Sequence, residues 1–488
     1  MHKNKINRNL IVLITFLSIA VLLRLFAINQ SLWLDEAIGA NLVKESGYWS
    51  IINNFSKSDN HPPFYYLSLK VWSDLFGYSE IALRSLSVIF GVLSVYFTYK
   101  IALLLKGGKR FPIFSLILIA TAPLHIYYSQ EARMYIMTVF FATTSIYYFL
   151  RALSERNTIN WILFSVSITF MIFSDYVPVF MLFVFLFYGI YKKMDRQWWY
   201  KYLISHIPIL IIGIFWLPTF LHQVKRGKWL LETLPAWADI AGGTSYEKIA
   251  SLVAKFEVGR ITFSLNSNYY YLVGVVTLLI IVSLISAFLI RKKVIILWFW
   301  LVLPLILSFT FSYFFPAFIY FRLIYTLPAF YLLIAWGLIS MKNKQIGNLL
   351  VSLIITANLF SWYLYISNPM QQREQWKQAV TYIEENIKDN DLVAFIYPEP
   401  FAPYKYYSKD LSSSRGLSDS ISATAGGVTE RIEIGIKEED GIYLFKYLGD
   451  LTDPGGYILM TLENKGFKET PKFADFPGVG QVIYYKRQ

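Results

Sequence analysis

Long apolar runs recur along the first three quarters of the chain and stop near residue 366. Most are close to the roughly 20 apolar residues that a helix needs to cross the hydrocarbon core of a bilayer. The pattern therefore predicts about eleven membrane-spanning helices. The predicted spans are 9–28, 81–105, 111–127, 134–152, 160–174, 176–191, 203–221, 269–290, 294–313, 322–340 and 347–366.

The pattern changes after residue 367, where charged residues become frequent and apolar runs short. Apolar positions from Arg373 to Ile387 have helical spacing, and 391–396 is typical of a strand. Further strands are predicted at 442–447, 466–472 and 479–486, a helix near 454–465, and a loop over the Ser/Gly-rich stretch 408–428. We thus predict a membrane domain at 1–367 and a small α/β domain at 368–488.

The composition agrees with membrane residence. Hydrophobic residues make up 56% of the 488 residues and charged residues 16%, against roughly 45–50% and about 25% in soluble domains. An ordinary soluble protein is therefore excluded. The chain has no cysteine, which excludes disulfides and thiolate chemistry.

Lysine and arginine between the spans indicate the orientation. The N-terminus and every second connection carry 18 bases against two acids, whereas the rest of 1–367 holds 13 bases and 12 acids. Since cytoplasmic loops are enriched in bases, we expect a cytoplasmic N-terminus and, with an odd number of spans, an extracytoplasmic C-terminal domain in a plasma-membrane protein.

The net charge of +13 does not indicate nucleic acid. Residues 368–488 carry 14 bases and 18 acids, so the basic excess belongs to the membrane part. It is explained by topology, and we predict no nucleic-acid partner.

Ionisable residues cluster at the predicted outer ends of the spans, where charges near hydrocarbon are often functional. Two pairs of these residues lie in the first outer loop, 29–80, and the remaining residues lie at the outer ends of later spans. These residues are Asp35 and Glu36, Asp59 and His61, Glu131 and Arg133, and Arg322.

Each group also has a structural explanation. The two acids after the first span could cap a helix. The His-Pro-Pro segment could be only a rigid turn in which His61 meets a backbone carbonyl. Glu131 and Arg133 could form an ion pair at the headgroups, and Arg322 could extend toward the interface. The remaining histidines have no partner at metal-ligand spacing, so no metal site is predicted.

The motifs resemble one known family. They are Asp35-Glu36, Asp-x-His-Pro-Pro at 59–63, Gln-Glu-Ala-Arg-Met-Tyr at 130–135, Phe-Arg-Leu leading into Leu-Pro-Ala at 321–329, and Arg-Glu-x-Trp at 373–376. Together they are similar to the polyprenyl-phosphate-sugar-dependent glycosyltransferases of the GT-C type. Within this family, the sequence most resembles bacterial members that are similar to dolichyl-phosphate-mannose protein mannosyltransferases and to the lipid A aminoarabinose transferase.

The resemblance implies a polytopic α-helical GT-C enzyme without a cofactor. It would move one sugar, with inversion, from an outward-facing polyprenyl-phosphate donor to a glycan, lipid or protein acceptor. Asp35 matches the family's catalytic base. Arginines could stabilise the departing phosphate without a metal.

Substrate-binding roles are expected for the other candidates. Arg133, Arg322 and, less directly, Arg84 are candidates for the donor phosphate. Glu131 could orient Arg133 or the sugar. The remaining candidates, Glu36, Asp59 and His61, could line the acceptor side or hold the first loop.

Two other functions compete with this hypothesis. A transporter or flippase for lipid-linked sugars would place ionisable residues near the bilayer midplane within repeated halves, whereas the acids here lie at the outer edge and no repeat is visible. A non-catalytic membrane scaffold would leave the loop cluster without a purpose. The residue pattern favours the enzyme.

Overall fold

The computed structural model describes residues 2–155, 157–262 and 267–488. The helices before residue 263 are α1 (His2–Leu25), α2 (Leu34–Glu45), α3 (Tyr48–Ser50), α4 (Ser56–Ser58), α5 (Phe64–Phe76), α6 (Glu80–Leu104), α7 (Arg110–Thr121), α8 (Pro123–Ser129), α9 (Tyr135–Glu155), α10 (Thr158–Ser174), α11 (Met181–Tyr191), α12 (Arg196–Ile204), α13 (Ile207–Thr233), α14 (Trp237–Ala241) and α15 (Tyr246–Val258). The later helices are α16 (Ser267–Leu289), α17 (Ile295–Phe311), α18 (Leu327–Ser340), α19 (Lys344–Ser367), α20 (Trp376–Asn386), α21 (Ala402–Tyr407), α22 (Ala425–Gly435), α23 (Gly449–Thr452) and α24 (Tyr457–Asn464).

Several helices are suited to a bilayer by length and apolar composition. Among the described residues, five qualify on their own: α6, α9, the continuous stretch formed by α12 and α13, most of α16, and α19. The bent pair α7 and α8 qualifies together. Shorter apolar helices are formed by Asn9–Leu25 of α1, by α10 and α17, and by the stretches Val177–Tyr191 and Ile324–Ser340, which contain α11 and α18. The chain is therefore a multi-pass membrane protein, and the total of eleven spans stays a prediction.

The predicted span 111–127 is broken in the structure. Helix α7 ends at Thr121, α8 begins at Pro123, and the two axes differ by 58°. Proline has no N–H to continue the first helix but is well suited to the first position of a new one. The break redirects the chain just before the Gln-Glu-Ala-Arg motif.

The described residues divide into two compact units. The first is formed by Met1–Ile28, Tyr48–Val224 and Ala241–Ser367, and the second by Asn29–Gly47, Lys225–Ile240 and Asn368–Gln488. The Asp35 segment of the first predicted outer loop is thus packed with the C-terminal residues, whereas the Asp59 segment belongs to the helical unit.

A mixed sheet forms the centre of the second unit. Its described strands are β1 (Asp391–Phe395), β2 (Ser414–Gly416), β3 (Gly441–Phe445), β4 (Phe467–Phe476) and β5 (Gly480–Arg487), in the order β2-β1-β3-β5-β4. Strands β2, β1 and β3 are parallel, and β5 is antiparallel to β3 and β4. Apolar side chains cover both faces of β1 and β3, with α22 and α24 packed on one side and α20 and α21 on the other.

Most elements predicted after residue 367 are observed with shifts of a few residues. The loop predicted at 408–428 is wrong in part, because it contains strand β2 and the start of α22. Short parallel strands and Gly-containing helices give weak local patterns, and their pairing partners decide the structure.

Candidate functional site

Asp59 and His61 face each other in the segment between α4 and α5. The Asp59 Oδ1 atom lies 3.2 Å from Nδ1 of His61 and accepts the Asn60 backbone N–H at 2.8 Å. Pro62 and Pro63 follow directly and lead into α5. The motif therefore holds a carboxylate and an imidazole together.

The charge of Asp59 is stabilised by its surroundings. Burial acts to raise the pKa of this carboxyl, but the His61 ring, the Arg133 guanidinium and the Asn60 N–H outweigh it and lower the pKa to about 2. Oδ2 is buried and has no hydrogen-bond partner among the described residues. Asp59 is thus a fixed negative charge with one acceptor atom available.

A chain of hydrogen bonds anchors this segment to α13. Gln223 donates from Nε2 to the backbone carbonyls of Ser56, at 2.7 Å, and His61, at 3.0 Å. Its Oε1 accepts from the Tyr176 hydroxyl, which in turn accepts from the Trp216 indole. The first loop is therefore positioned by residues more than 100 positions later.

The Gln-Glu-Ala-Arg motif is buried in the helical unit. Gln130 donates to the carbonyls of Arg24 and Phe26, and the Ser87 hydroxyl donates to the Glu131 carbonyl at 2.6 Å. The Arg133 guanidinium donates to the Tyr66 hydroxyl at 2.9 Å. Both charged side chains are at most 5% exposed.

A polar network within the helices supports this motif. Arg24, fully buried, lies 2.7 Å from the His125 Nδ1 and donates to the Ser129 hydroxyl and to two helix carbonyls. The other ring nitrogen of His125 meets the Ser94 hydroxyl. Because buried polar groups need partners, this network fixes α1 and α6 against the end of α8.

Arg260 is a functional candidate that the sequence interpretation missed. It donates to the Tyr127 hydroxyl at 2.6 Å and lies over that ring. The hydroxyls of Tyr127 and Tyr320, with the Glu131 carboxylate, raise the pKa of its guanidinium and keep it charged. The available signal was the number of bases and aromatic residues in the stretch 222–268, but nothing local separates Arg260 from the other bases of that stretch.

The two other predicted phosphate ligands bind backbone carbonyls. Arg322 donates to the Pro316 carbonyl at 2.7 Å and is partly exposed. Arg84 is 1% exposed and donates to the Ile28 carbonyl at 2.8 Å. Arg84 thus links α6 to the end of the first span, while Arg322 keeps part of its surface available to solvent.

Asp35 and Glu36 lie in the first turn of α2, within the second unit. Glu36 is fully buried, and its Oε2 accepts the Trp33 backbone N–H at 3.4 Å. The neighbouring Leu34 N–H donates to Glu374, which lies just before α20. Asp35 itself is partly exposed. Glu36 therefore caps the start of α2, as the structural explanation of these two acids proposes. The Asp35 carboxylate lies at the surface of the second unit.

The described residues contain no group of three histidine, aspartate or glutamate side chains arranged to hold a metal ion. Within the helical unit the arrangement offers arginine side chains, a fixed carboxylate and tyrosine hydroxyls. Such groups can bind phosphate and sugar hydroxyls through charge-assisted hydrogen bonds.

Comparisons with known proteins match parts of the sequence. Residues 60–222 match the family model described as dolichyl-phosphate-mannose-protein mannosyltransferase. A curated relative from Aquifex aeolicus (strain VF5), described as an uncharacterized protein, is 26% identical over 119 residues, and the match spans 24% of this chain and 23% of that protein.

The likeness to solved structures extends over nearly the whole chain and concerns its fold. It is similar to ArnT from Cupriavidus metallidurans, both in the apo state and bound to undecaprenyl phosphate, with 97% of each chain covered and a TM-score of 0.57. Sequence identity to these two structures is 12% and 11%. The predicted GT-C fold, resembling mannosyltransferases and ArnT, is confirmed.

Proposed function

We propose that this protein is an inverting membrane glycosyltransferase. It transfers one sugar from an outward-facing polyprenyl-phosphate donor to a glycan, lipid or protein of the cell envelope. The observation that carries the proposal is the fold shared from end to end with ArnT, a protein solved with undecaprenyl phosphate bound. The buried arginines and carboxylates of the helical unit suit the same kind of donor.

Asp35 is the proposed general base. It accepts the proton of the acceptor hydroxyl while that oxygen attacks the anomeric carbon, and the bond from this carbon to the phosphate oxygen breaks. A single displacement from the opposite face inverts the anomeric centre. The polyprenyl phosphate leaves with the electron pair of the broken bond.

Arg133 and Arg260 are the proposed ligands of the leaving phosphate. Negative charge grows on this group in the transition state, and cations held in place before the reaction stabilise it without a metal. Arg322 is a third candidate because part of its surface is available. Arg84 supports the site by holding the end of the first span through the Ile28 carbonyl.

The carboxylates of the helical unit are proposed to recognise the sugar. Oδ2 of Asp59 can accept a hydroxyl, and His61 holds the other oxygen of the same carboxylate. Glu131 orients the arginines, and Glu36 holds the turn in front of Asp35. In this proposal residues 1–367 with the 29–80 loop form the catalytic domain, and 368–488 form an extracytoplasmic domain.

The test compares the wild type with Asp35→Asn and Asp175→Asn. Asp175 is a matched control, since its carboxylate accepts the Val177 N–H in a turn. Each protein is incubated with a panel of polyprenyl-phosphate sugars and cell-envelope acceptors in EDTA, donor binding is measured in parallel, and NMR gives the anomeric configuration of the product.

We expect one donor to be consumed with inversion, and Asp35→Asn to bind it but turn over at least about a hundred-fold more slowly. The control should keep its turnover. If all three proteins bind a donor and none consumes it, the protein is a transporter or flippase instead. Retention of configuration would exclude the single displacement.

A further inference from the structure

Glu374 holds the first turn of the helix that carries Asp35. Its Oε2 accepts the Leu34 backbone N–H at 3.3 Å, and Leu34 is the first residue of α2. The first N–H groups of a helix have no partner inside it, so each needs an acceptor from elsewhere. Glu374 supplies one from 340 residues away.

The Glu374 side chain is itself fixed by several contacts. The Trp376 indole donates to Oε2 at 2.8 Å, and the Tyr447 hydroxyl donates to Oε1 at 3.0 Å. Trp376 is fully buried and stacks on Phe445 of β3. At Gly478, where φ is +79°, a Cβ atom would come within 2.8 Å of the Glu374 Cγ. The carboxylate is therefore anchored to the core of the sheet.

Neighbouring hydrogen bonds extend the same attachment. The Arg373 N–H donates to the Gln30 side chain and the Lys377 N–H to the Ser31 hydroxyl. The Leu32 N–H donates to the Tyr407 hydroxyl at 2.8 Å. The segment leading to Asp35 is thus held at Gln30, Ser31 and Leu32. Helix α2 is held at Asn41, which donates to the Ala402 carbonyl at 3.0 Å, and the Glu374 bond holds its first residue, next to Asp35.

We propose that Glu374 is a positioning residue for Asp35, acting through the Leu34 N–H to fix the first turn of α2. The direction of a side chain in a first turn follows the backbone of that turn. A general base must lie within hydrogen-bond reach of its proton, and small displacements reduce the rate strongly. This inference rests on the proposed role of Asp35.

The surroundings of the Glu374 carboxylate favour a structural role over proton transfer. Oε2 is occupied by two donors and Oε1 by a third, and all three are neutral groups. Burial, with the Asp35 carboxylate nearby, raises the pKa of Glu374 to about 6, although the three hydrogen bonds act to lower it. Glutamine can keep the arrangement, with its carbonyl in place of Oε2 and its NH₂ group donating to Tyr447.

The experiment uses the full chain and two matched pairs. Glu374→Ala removes the acceptor, and Glu374→Gln keeps it. Leu34→Pro removes the N–H donor together with the leucine side chain. The backbone can keep its course, because proline is tolerated at the first helical position and Trp33 already has the extended conformation, with ψ of 175°, that proline requires of its predecessor. Leu34→Ala keeps the N–H and controls for the lost side chain.

Two readouts are measured for each variant. Hydrogen exchange of peptides covering residues 30–37 reports on the turn and does not depend on activity, while kcat and KM for the donor report on the base. We expect Glu374→Ala and Leu34→Pro to exchange faster at 30–37 and to lose kcat about ten- to a hundred-fold with little change in KM. Glu374→Gln and Leu34→Ala should stay within a few-fold of the wild type.

The outcomes separate this inference from the proposed function. Unchanged exchange and kcat in both Glu374→Ala and Leu34→Pro would overturn the positioning role. Equal losses in Glu374→Gln and Glu374→Ala would overturn it too, because charge and not the hydrogen bond would then matter. If exchange rises as expected while Asp35→Asn keeps wild-type turnover, the turn is held by Glu374 but Asp35 is not the base.

Faster exchange of the β1 and β3 peptides in Glu374→Ala would mean that the domain has unfolded. The Leu34 pair then decides, since both variants lose the same Leu34 side chain, which packs against the apolar cluster on one face of the sheet, and they differ in the N–H. Leu34→Pro with the exchange and kcat of Leu34→Ala would overturn the proposal.

Discussion

Asp59 and Glu374 are both largely buried carboxylates, yet their surroundings shift the pKa in opposite directions. Asp59 has His61 and Arg133 beside it, and its pKa falls to about 2. Glu374 has only neutral donors and the Asp35 carboxylate, and burial raises its pKa to about 6. Burial alone disfavours the charged form, so the nature of the neighbours decides the result.

The difference separates two tasks. A carboxylate that stays ionised over the physiological pH range suits a binding site with constant charge, as proposed for Asp59. A carboxylate whose charge is destabilised suits a hydrogen-bond acceptor in a structural role, as proposed for Glu374. The following predictions test this contrast, from the largest expected effect to the smallest.

Removing the cation beside Asp59 should have the largest effect. We expect Arg133→Ala to reduce donor turnover about 10²- to 10³-fold, since Arg133 is proposed as a preorganised hydrogen-bond donor to the developing phosphate charge. Turnover of a purified polyprenyl-phosphate sugar measures this. Arg133→Lys is the control for charge and should recover part of the loss; equal activity of Arg133→Ala and wild type would remove Arg133 from the site.

Neutralising Asp59 should destabilise the protein near neutral pH. Its pKa of about 2 lies below the ordinary 3.8, so its ionised form stabilises the fold by about 2 kcal/mol above pH 4, and this is lost as pH falls toward 2. Asp59→Asn should therefore lower the free energy of unfolding by about 2 kcal/mol at pH 7. Denaturant unfolding in detergent at several pH values tests this, and a difference that does not shrink toward pH 3 would contradict it.

Neutralising Glu374 should stabilise the protein, which is the opposite of the effect expected at Asp59. Its pKa is raised from 4.5 to about 6, so its ionisation destabilises the fold, an effect absent below pH 4.5 and complete above pH 6. Glu374→Gln should raise the free energy of unfolding at pH 8 by about 1–2 kcal/mol. The same unfolding series tests it; a destabilised variant at pH 8 would show that the ionised form is preferred.

Tyr447→Phe should give the smallest change. It removes one hydrogen bond that lowers the pKa of Glu374, so the pH at which stability changes should move upward. The lost bond itself should reduce the free energy of unfolding by about 1 kcal/mol. Tyr457→Phe, on a partly buried tyrosine of α24, is a control that should leave the pH dependence unchanged.

The sequence predicts what depends on local pattern. The apolar runs predict most of the helices. The contact between Asp59 and His61 is local too, although it was not among the predictions. The bend at Pro123 was not predicted, since 111–127 was predicted as one continuous span. Strand β2 has three residues, and its structure depends on pairing with β1, which no local pattern contains.

The parts of the site that depend on distant residues could not be predicted. The Arg-Glu-x-Trp motif was noticed, but nothing in it indicates that Glu374 binds Leu34. The Arg260 side chain is one base among several in its segment, and only the fold brings it to Tyr127 and the Glu131 charge. Arg84 was expected at the phosphate, and its burial against the Ile28 carbonyl reflects the packing of α6.

The hydrogen bond between Leu34 and Glu374 also sets an order of events during synthesis. The ribosome makes Glu374 340 residues after Leu34, which at common rates of translation takes roughly 17 to 70 seconds. Throughout that interval the nascent chain already contains its proposed base but lacks the acceptor that holds it. The turn with the proposed base therefore acquires its acceptor only after Glu374 has been made, and a chain released before that point contains Asp35 without this support.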